Sequence, residues 1–68
     1  MTTKIGVIGL GAMGALYARH LIKAGYPVVG CDVDIVHTEA LKEVGGEIAA
    51  SPRETADNAE ILITSLPS

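Results

Sequence analysis

The sequence predicts an α/β fold in which four strands form a parallel sheet and alternate with three helices. Short apolar runs, typical of strands covered on both faces, recur along the 68 residues and are separated by segments of helical periodicity. Each connection between successive strands is too long for a hairpin and fits a right-handed crossover. A glycine-rich turn follows the first strand, as in doubly wound sheets. We therefore expect the N-terminal part of a Rossmann sheet, with the strand order 3-2-1-4.

The first strand is predicted over residues 4–9, and a helix follows from about Ala12 to Ala24. Gly25 is the natural residue to end this helix, because glycine accepts the left-handed conformation of the C′ position. Helical spacing predicts that the buried stripe of the helix consists of Met13, Leu16, Tyr17, Leu21 and Ala24.

The second strand is predicted over residues 27–32 and begins with a proline, which is tolerated at the first residue of a strand. Asp34 is expected to cap the second helix, and the glycine pair at residues 45–46 to end it. The buried face of this helix is predicted to consist of Val36, Ala40, Leu41 and Val44.

A short third strand is predicted over residues 47–50, and a brief third helix follows it. Ser51 suits the N-cap of that helix and Pro52 its first position, while Glu54 is placed to close a capping box. The helix should end near Asn58.

The fourth strand is predicted over residues 60–66 and is stopped by Pro67. In the expected strand order it would form an open apolar edge of the sheet. We therefore expect either that the chain is part of a longer polypeptide or that another element covers this edge.

Composition makes several classes of protein improbable. The net charge is −3, the five basic residues are scattered, and only two residues are aromatic, so neither a nucleic-acid nor a membrane partner is expected. The single cysteine, Cys31, lies in a predicted buried strand and is interpreted as a small core residue. One thiol allows no internal disulfide, and together with the absence of a secretory signal it favours a reducing, cytoplasmic location. The two histidines, His20 and His37, lie on different helices without partners at metal spacing, so we interpret both as structural or solvated and expect no metal site.

A phosphate-binding loop is predicted where the first strand meets the first helix. Its pattern of three glycines lets the backbone turn sharply, approach a pyrophosphate and pack the helix closely on the strand. Free N–H groups and the positive end of the helix dipole would then face the phosphates. The loop lacks the lysine of a nucleoside-triphosphate loop, and the alternative is a glycine-rich turn that binds nothing. The predicted cofactor-binding residues of the loop are Gly9, Leu10, Gly11, Ala12, Met13 and Gly14.

Asp32 ends the second strand, where doubly wound folds place the carboxylate that hydrogen-bonds the adenosine ribose. A like charge 4 Å away costs roughly 4 kcal/mol before screening, so Asp32 should repel the 2′-phosphate of NADP and favour NAD. Val33, rather than an arginine, follows it and is assigned to the same cofactor site. The alternative for Asp32 is a solvated acid at a strand end, and Asp34 is better explained as a helix cap.

The segment Val7–Gly14 resembles the N-terminal signature of the β-hydroxyacid dehydrogenases, a family that includes 3-hydroxyisobutyrate dehydrogenase and tartronate semialdehyde reductase and is related to 6-phosphogluconate dehydrogenase. The leucine between the first two glycines and the methionine before the third are more specific than the glycines alone. The similarity continues downstream through Ala18, His20, Leu21, Ala24, Gly25, Tyr26, Asp32, Ser51, Pro52, Leu66 and Pro67.

The resemblance implies hydride transfer between a small β-hydroxyacid and a nicotinamide cofactor, with Leu66 and Pro67 lining that cofactor. It also implies that the substrate-binding segment, the catalytic lysine and the dimer-forming helices lie downstream of residues 1–68. We therefore assign no catalytic residue, interpret the chain as an incomplete dinucleotide-binding domain of a homo-oligomeric enzyme, and expect it to be inactive alone and to bind the cofactor weakly. Tyr17 and Val33 depart from the family pattern; the second departure also favours NAD.

Two other functions stay open on the sequence. One is a dinucleotide-binding or interaction module without catalysis, since a fold does not fix a function. The other is an NADP-dependent imine or carbonyl reductase of the same superfamily, against which the pair Asp32 and Val33 argues weakly.

Overall fold

A computed structural model describes residues 3–65 of the chain. The strands in this range are β1 (Ile5–Ile8), β2 (Val28–Cys31), β3 (Glu47–Ile48) and β4 (Ile61–Thr64). The helices are α1 (Ala12–Lys23), α2 (Ile35–Glu43) and α3 (Pro52–Asp57). Every predicted element within the described residues is therefore present, with ends that differ by at most two residues from the prediction. The predicted C-terminal end of the fourth strand, including Leu66 and Pro67, lies outside the described residues.

All strand pairs are parallel, and the sheet order is β3-β2-β1-β4. Ile5 at the start of β1 stands opposite Val28 of β2 on one side and Ile61 of β4 on the other. This order confirms the predicted fold class. It also places β1 at the centre, so the carboxyl ends of β1, β2 and β4 meet on one edge of the sheet.

The central strands β1 and β2 are buried, as their continuous apolar runs predict, whereas the edge strands β3 and β4 are largely exposed. Side chains from β1, β2, the loop between β1 and α1, and the helices α1 and α2 form a core cluster on one face, which comprises Val7, Leu10, Ala18, Val28 and Leu41. A smaller cluster on the other face comprises Val29, Cys31 and Ala49 and lies on the side of α3. The buried position predicted for Cys31 is confirmed.

The helix ends follow the predicted local chemistry. Gly25 has a φ of 99° and, with Tyr26, closes α1 by backbone hydrogen bonds to Ile22 and Leu21. This pair of bonds is the Schellman arrangement. The first glycine of the pair after α2 has a φ of 96° and ends that helix in the same way.

Two N-caps also appear where they were predicted. The side chain of Asp34 accepts the N–H of Val36 at 2.9 Å, and Ser51 Oγ accepts the N–H of Glu54 at 3.1 Å. The return half of the capping box is shifted by one residue, because Glu54 Oε2 accepts the N–H of Ala50 at 3.4 Å. This is a long bond, so the serine supplies most of the cap.

The predicted buried faces of α1 and α2 are wrong in part. Met13 is 53% exposed and the neighbouring large side chains of the predicted stripe on α1 are exposed too, while Gly14 and Ala18 are buried. The small residues face the sheet because they let the helix axis approach β1, whereas periodicity counts only large apolar side chains. On α2 only Leu41 of the predicted face is buried; the others, Val36, Ala40 and Val44, are exposed.

Candidate functional site

A cleft of about 690 Å³ opens at the carboxyl edge of the sheet. Its walls are the loop after β1, the end of β2 and the start of α2, with the start of α3 and Ser65 closing the other side. This edge is also where the chain reverses its direction of winding, since β2 lies on one side of β1 and β4 on the other. Ligands of open α/β sheets bind at such a switch point, and the cleft volume is in the range of small-molecule sites.

Two glycines of the loop are required by the packing of the protein itself. Gly9 has a φ of 88°, which a side chain rarely adopts, and a Cβ atom there would overlap the carbonyl oxygen of Ser65. At Gly14, inside the first turn of α1, a Cβ atom would overlap the carbonyl oxygen of Gly9. The first glycine therefore allows the turn out of β1, and the third allows α1 to pack against that turn.

Gly11 differs from these two glycines, because its neighbourhood is open. A Cβ atom placed there would meet no heavy atom within 4 Å, although Gly11 lines the cleft. Gly11 is also the N-cap of α1, and it offers no side chain to the free N–H groups of the first turn. No residue among 3–65 accepts a hydrogen bond from the N–H of Ala12 or Met13. An anion can therefore approach the backbone at the positive end of the helix dipole.

Leu10 plays a different part from the other loop residues. Its side chain is only 1% exposed and belongs to the core cluster, so it does not line the cleft. Its backbone N–H donates to Asp32 Oδ2 at 2.7 Å. The loop is therefore anchored twice, by a side chain in the core and by a hydrogen bond to the end of β2.

Asp32 lies at the cleft with its side chain 11% exposed. Oδ2 accepts the N–H of Leu10, and Oδ1 accepts the N–H of Asp34 at 2.8 Å. Burial by itself raises the pKa of this carboxyl group, but the hydrogen bonds from Asp34 and Leu10 and the neighbouring His37 together lower the pKa below its ordinary value. A carboxylate has about four acceptor positions. Asp32 is thus held ionised, and acceptor capacity remains for a ligand hydroxyl.

The sequence interpretation missed the position of His37. Its Nδ1 atom lies 3.2 Å from Asp32 Oδ2, and the imidazole lines the same cleft. The side chain as a whole is 40% exposed, whereas Nδ1 is buried and has no well-aligned hydrogen-bond partner among the described residues. The available signal was the spacing: His37 lies three residues after the Asp34 cap, so it occupies the first turn of a helix that begins beside the end of β2.

The remaining predicted site residues have mixed positions. Ala12, Met13 and Val33 line the cleft, and the Val33 side chain is fully exposed. Leu66 and Pro67 lie outside the described residues. Ser51 and Pro52 line the cleft as well, although the sequence was interpreted only in terms of their role at a helix start.

The described residues contain no group of three or more His, Cys, Asp or Glu side chains that could hold a metal ion. None of the helices between residues 3 and 65 is long and apolar enough to cross a bilayer. Among the described residues, the polar groups of the cleft are backbone N–H donors, the acids Asp32 and Asp34, the His37 imidazole and the serines Ser51 and Ser65.

Comparison with known proteins places this geometry in a family. Residues 4–68 match the family model of the NAD binding domain of 6-phosphogluconate dehydrogenase. The chain belongs to this family of NAD-binding domains. The resemblance to the β-hydroxyacid dehydrogenases is also confirmed, since the mitochondrial 3-hydroxyisobutyrate dehydrogenase of Rattus norvegicus is 46% identical over 66 residues, which are 97% of this chain and 20% of that protein.

Solved structures agree with this assignment. A 3-hydroxyisobutyrate dehydrogenase of Mycobacterium tuberculosis, determined with L-serine, superposes with a TM-score of 0.92 at 34% identity over 98% of this chain and 23% of that one. An imine reductase from Pseudomonas sp. superposes with a TM-score of 0.89 at 31% identity over 94% of this chain and 22% of that one. The chain thus spans about a fifth of the length of the relatives that it matches.

Proposed function

We propose that this chain supplies the NAD-binding portion of an oxidoreductase that transfers a hydride between a small β-hydroxyacid and the nicotinamide ring. The observation that carries the proposal is the open backbone at Gly11, where unpartnered N–H groups at the start of α1 face a cleft that also contains Asp32. This arrangement matches a dinucleotide, whose pyrophosphate and adenosine ribose need an anion site and a neighbouring hydroxyl acceptor.

The pyrophosphate is proposed to bind over the loop of residues 9–14. Gly11 allows the approach, the N–H groups of Ala12 and Met13 donate, and the α1 dipole adds a favourable field. The buried side chain of Leu10 contributes by fixing the loop rather than by touching the cofactor. No cationic side chain is needed for this mode of binding.

The adenosine ribose is proposed to bind at Asp32, with Val33 beside the adenosine. The ionised carboxylate favours a ribose hydroxyl and disfavours a 2′-phosphate, which supports NAD over NADP. Leu66 and Pro67 are proposed to line the cofactor further along, because Ser65 immediately before them already lines the cleft.

Hydride transfer itself is assigned to the larger protein of which such a domain is a part. When bound, the nicotinamide ring gives or takes the hydride, and this chain binds and orients the cofactor. The β-hydroxyacid substrate is supported by the names of the dehydrogenases to which the chain is similar. A separate substrate and dimerisation domain, a homo-oligomer and a cytoplasmic location complete the proposal, and each of these three remains a prediction.

Cofactor titration tests this function. We expect calorimetry with the 68-residue chain to give weak binding of NAD and binding of NADP that is roughly tenfold or more weaker at neutral pH. Asp32→Asn removes the repelling charge and should reduce this preference. Equal affinities for the two cofactors, or no effect of Asp32→Asn, would contradict the assignment of the ribose to Asp32.

A second function is favoured by one observation, the close superposition on the imine reductase. A reductase of that kind that prefers NADP would show the opposite ratio in the same titration. A non-catalytic dinucleotide-binding module would bind NAD in the same way as the NAD-binding portion of a dehydrogenase. An assay of the complete polypeptide with β-hydroxyacids then distinguishes the two, because only the dehydrogenase would be active.

A further inference from the structure

His37 lies beside the acid that is proposed to bind the adenosine ribose. The distance of 3.2 Å between His37 Nδ1 and Asp32 Oδ2 brings the imidazole within ion-pair reach of the carboxylate. Nδ1 is buried against this oxygen, whereas the side chain remains 40% exposed and faces the cleft in part. A neutral ring with its lone pair on Nδ1 would be repelled by the carboxylate, so the contact requires a proton on Nδ1.

This contact changes the charge that a ligand meets at the end of β2. With a neutral imidazole, protonated on Nδ1 only, the pair of side chains carries a net charge of −1. With an imidazolium it carries none. Histidine is the side-chain type whose charge ordinarily changes between pH 5 and 8, so the pH is the variable with which the effect of this charge can be tested.

The other charged groups near His37 do not replace this interaction. Asp34 lies at the start of the same helix, and Arg19 of α1 and Glu43 of α2 line with His37 the groove between the two helices. Among the described residues Asp32 is nevertheless the only carboxylate within ion-pair distance of the imidazole. The charge of His37 is therefore coupled most directly to Asp32.

We propose that His37 is a specificity-determining residue, which sets the preference between NAD and NADP through its charge next to Asp32. The proposal rests on the proposed function, in which Asp32 binds the adenosine ribose. At high pH the unneutralised carboxylate repels the 2′-phosphate of NADP, and at low pH the imidazolium offsets that repulsion. Discrimination against NADP therefore falls as the pH falls.

Calorimetric titration of the 68-residue chain with NAD and NADP at about pH 5 and about pH 8 tests the proposal. The ratio of the two dissociation constants, NADP over NAD, is expected to fall roughly tenfold at the lower pH, as one screened unit charge close to the phosphate can produce. The oxidised cofactors are the right probes, because the reduced ones decompose in acid.

Three variants isolate the imidazole. His37→Asn places a neutral amide near the position of Nδ1, and His37→Gln places one near the position of Nε2. Both variants remove the positive charge that an imidazole can carry, and far-ultraviolet circular dichroism at both pH values confirms the fold. The 2′-phosphate itself changes charge near pH 6, so these variants report the part of the pH dependence that does not come from His37. His20→Asn, which changes the exposed histidine on α1, is the matched control and should behave as the unchanged chain.

A clearly smaller pH dependence in both His37 variants than in the unchanged chain and the His20 variant supports the proposal. The same pH dependence in all four proteins, with NAD binding intact, overturns the role of His37 alone. Failure of NAD to bind, or an affinity for NAD that Asp32→Asn leaves unchanged, overturns the proposed function and the role of His37 with it.

Discussion

Gly11→Ala and Gly14→Ala replace two glycines of the same loop by alanine, but we expect them to have different effects. Gly11→Ala should weaken cofactor binding, whereas Gly14→Ala should destabilise the fold. Gly11 has a φ of −66° and a ψ of −167°, a region that any residue adopts, and its added methyl group would meet no protein atom within 4 Å. Alanine is a poorer N-cap than glycine by some tenths of a kcal/mol up to about 1 kcal/mol. It also reduces the entropy of the unfolded chain, which stabilises the fold by about 0.4–1 kcal/mol. The free energy of unfolding should therefore change by no more than about 0.5 kcal/mol.

Gly14→Ala should have the opposite profile. Its methyl group would overlap the carbonyl oxygen of Gly9, which is a backbone atom and cannot rotate away. Alanine gains about 1 kcal/mol of helix propensity, but overpacking against backbone costs about 3 kcal/mol or more, so we expect a loss of about 2 kcal/mol or more. This is a large fraction of the stability of a domain of this size.

Binding is where Gly11→Ala should act. The methyl group enters the cleft at the point where the phosphates are proposed to approach the backbone, and it should cost at least one hydrogen bond to a charged group. Such a bond is worth about 1.5–3 kcal/mol, which corresponds to a roughly 10- to 150-fold weaker affinity for NAD. Urea unfolding followed by circular dichroism, and calorimetric titration with NAD, measure the two properties separately. If Gly11→Ala bound NAD within about twofold of the unchanged chain, the pyrophosphate could not lie over Gly11.

Three further predictions concern stability. The folded-state pKa of Asp32 is lowered, because burial, which raises it, is outweighed by the N–H groups of Asp34 and Leu10 and by His37, so the ionised carboxylate stabilises the fold. This contribution is complete above the unfolded-state pKa and is lost as the pH falls through the lower folded-state pKa. Urea unfolding from about pH 6 to about pH 2 should show the loss in the unchanged chain, whereas the free energy of unfolding of Asp32→Asn should depend less on pH. Leu10→Ala should cost about 2–5 kcal/mol, enough to unfold the chain at room temperature, because the side chain is fully buried; a cooperative urea transition of unchanged midpoint would contradict this. Ser51→Ala removes the oxygen that caps α3 and should cost about 1 kcal/mol, seen as a lower urea midpoint with an unchanged slope.

The order of the elements could be predicted from the sequence because each boundary has its own local chemistry. Asp34 and Ser51 accept the N–H groups for which they were assigned as caps, and Gly25 ends α1 with the expected positive φ. Each of these caps depends only on a few residues that are neighbours in the sequence, so it can be predicted from a single sequence without knowledge of the tertiary structure. The strand order then followed from the glycine-rich turn and the handedness of parallel crossovers.

The faces of the helices could not be predicted in the same way. Met13 was assigned both to the buried stripe of α1 and to the cofactor-binding loop; it is exposed and lines the cleft, because Gly14 and Ala18 approach the sheet in its place. Helical periodicity identifies the face of a helix that carries large apolar residues. It does not identify a face of small residues, although such a face allows the helix to pack closely on the sheet. The contact between His37 and Asp32 was missed for a related reason: it depends on the distance between the start of α2 and the end of β2, which is a tertiary property.

Folding and cofactor geometry are coupled in this domain through one short path. The Leu10 side chain lies in the core between the sheet and the helices, and the N–H of the same residue holds Asp32 Oδ2. Asp32 Oδ1 in turn accepts the N–H of Asp34 at the start of α2, and Asp32 Oδ2 also lies beside His37 Nδ1. A change that loosens the core at Leu10 without unfolding the chain should therefore displace the acid as well as the loop and lower the affinity for the cofactor. One hydrogen bond, from the N–H of Leu10 to Asp32 Oδ2, thus joins a residue of the core to the acid that is proposed to bind the ribose.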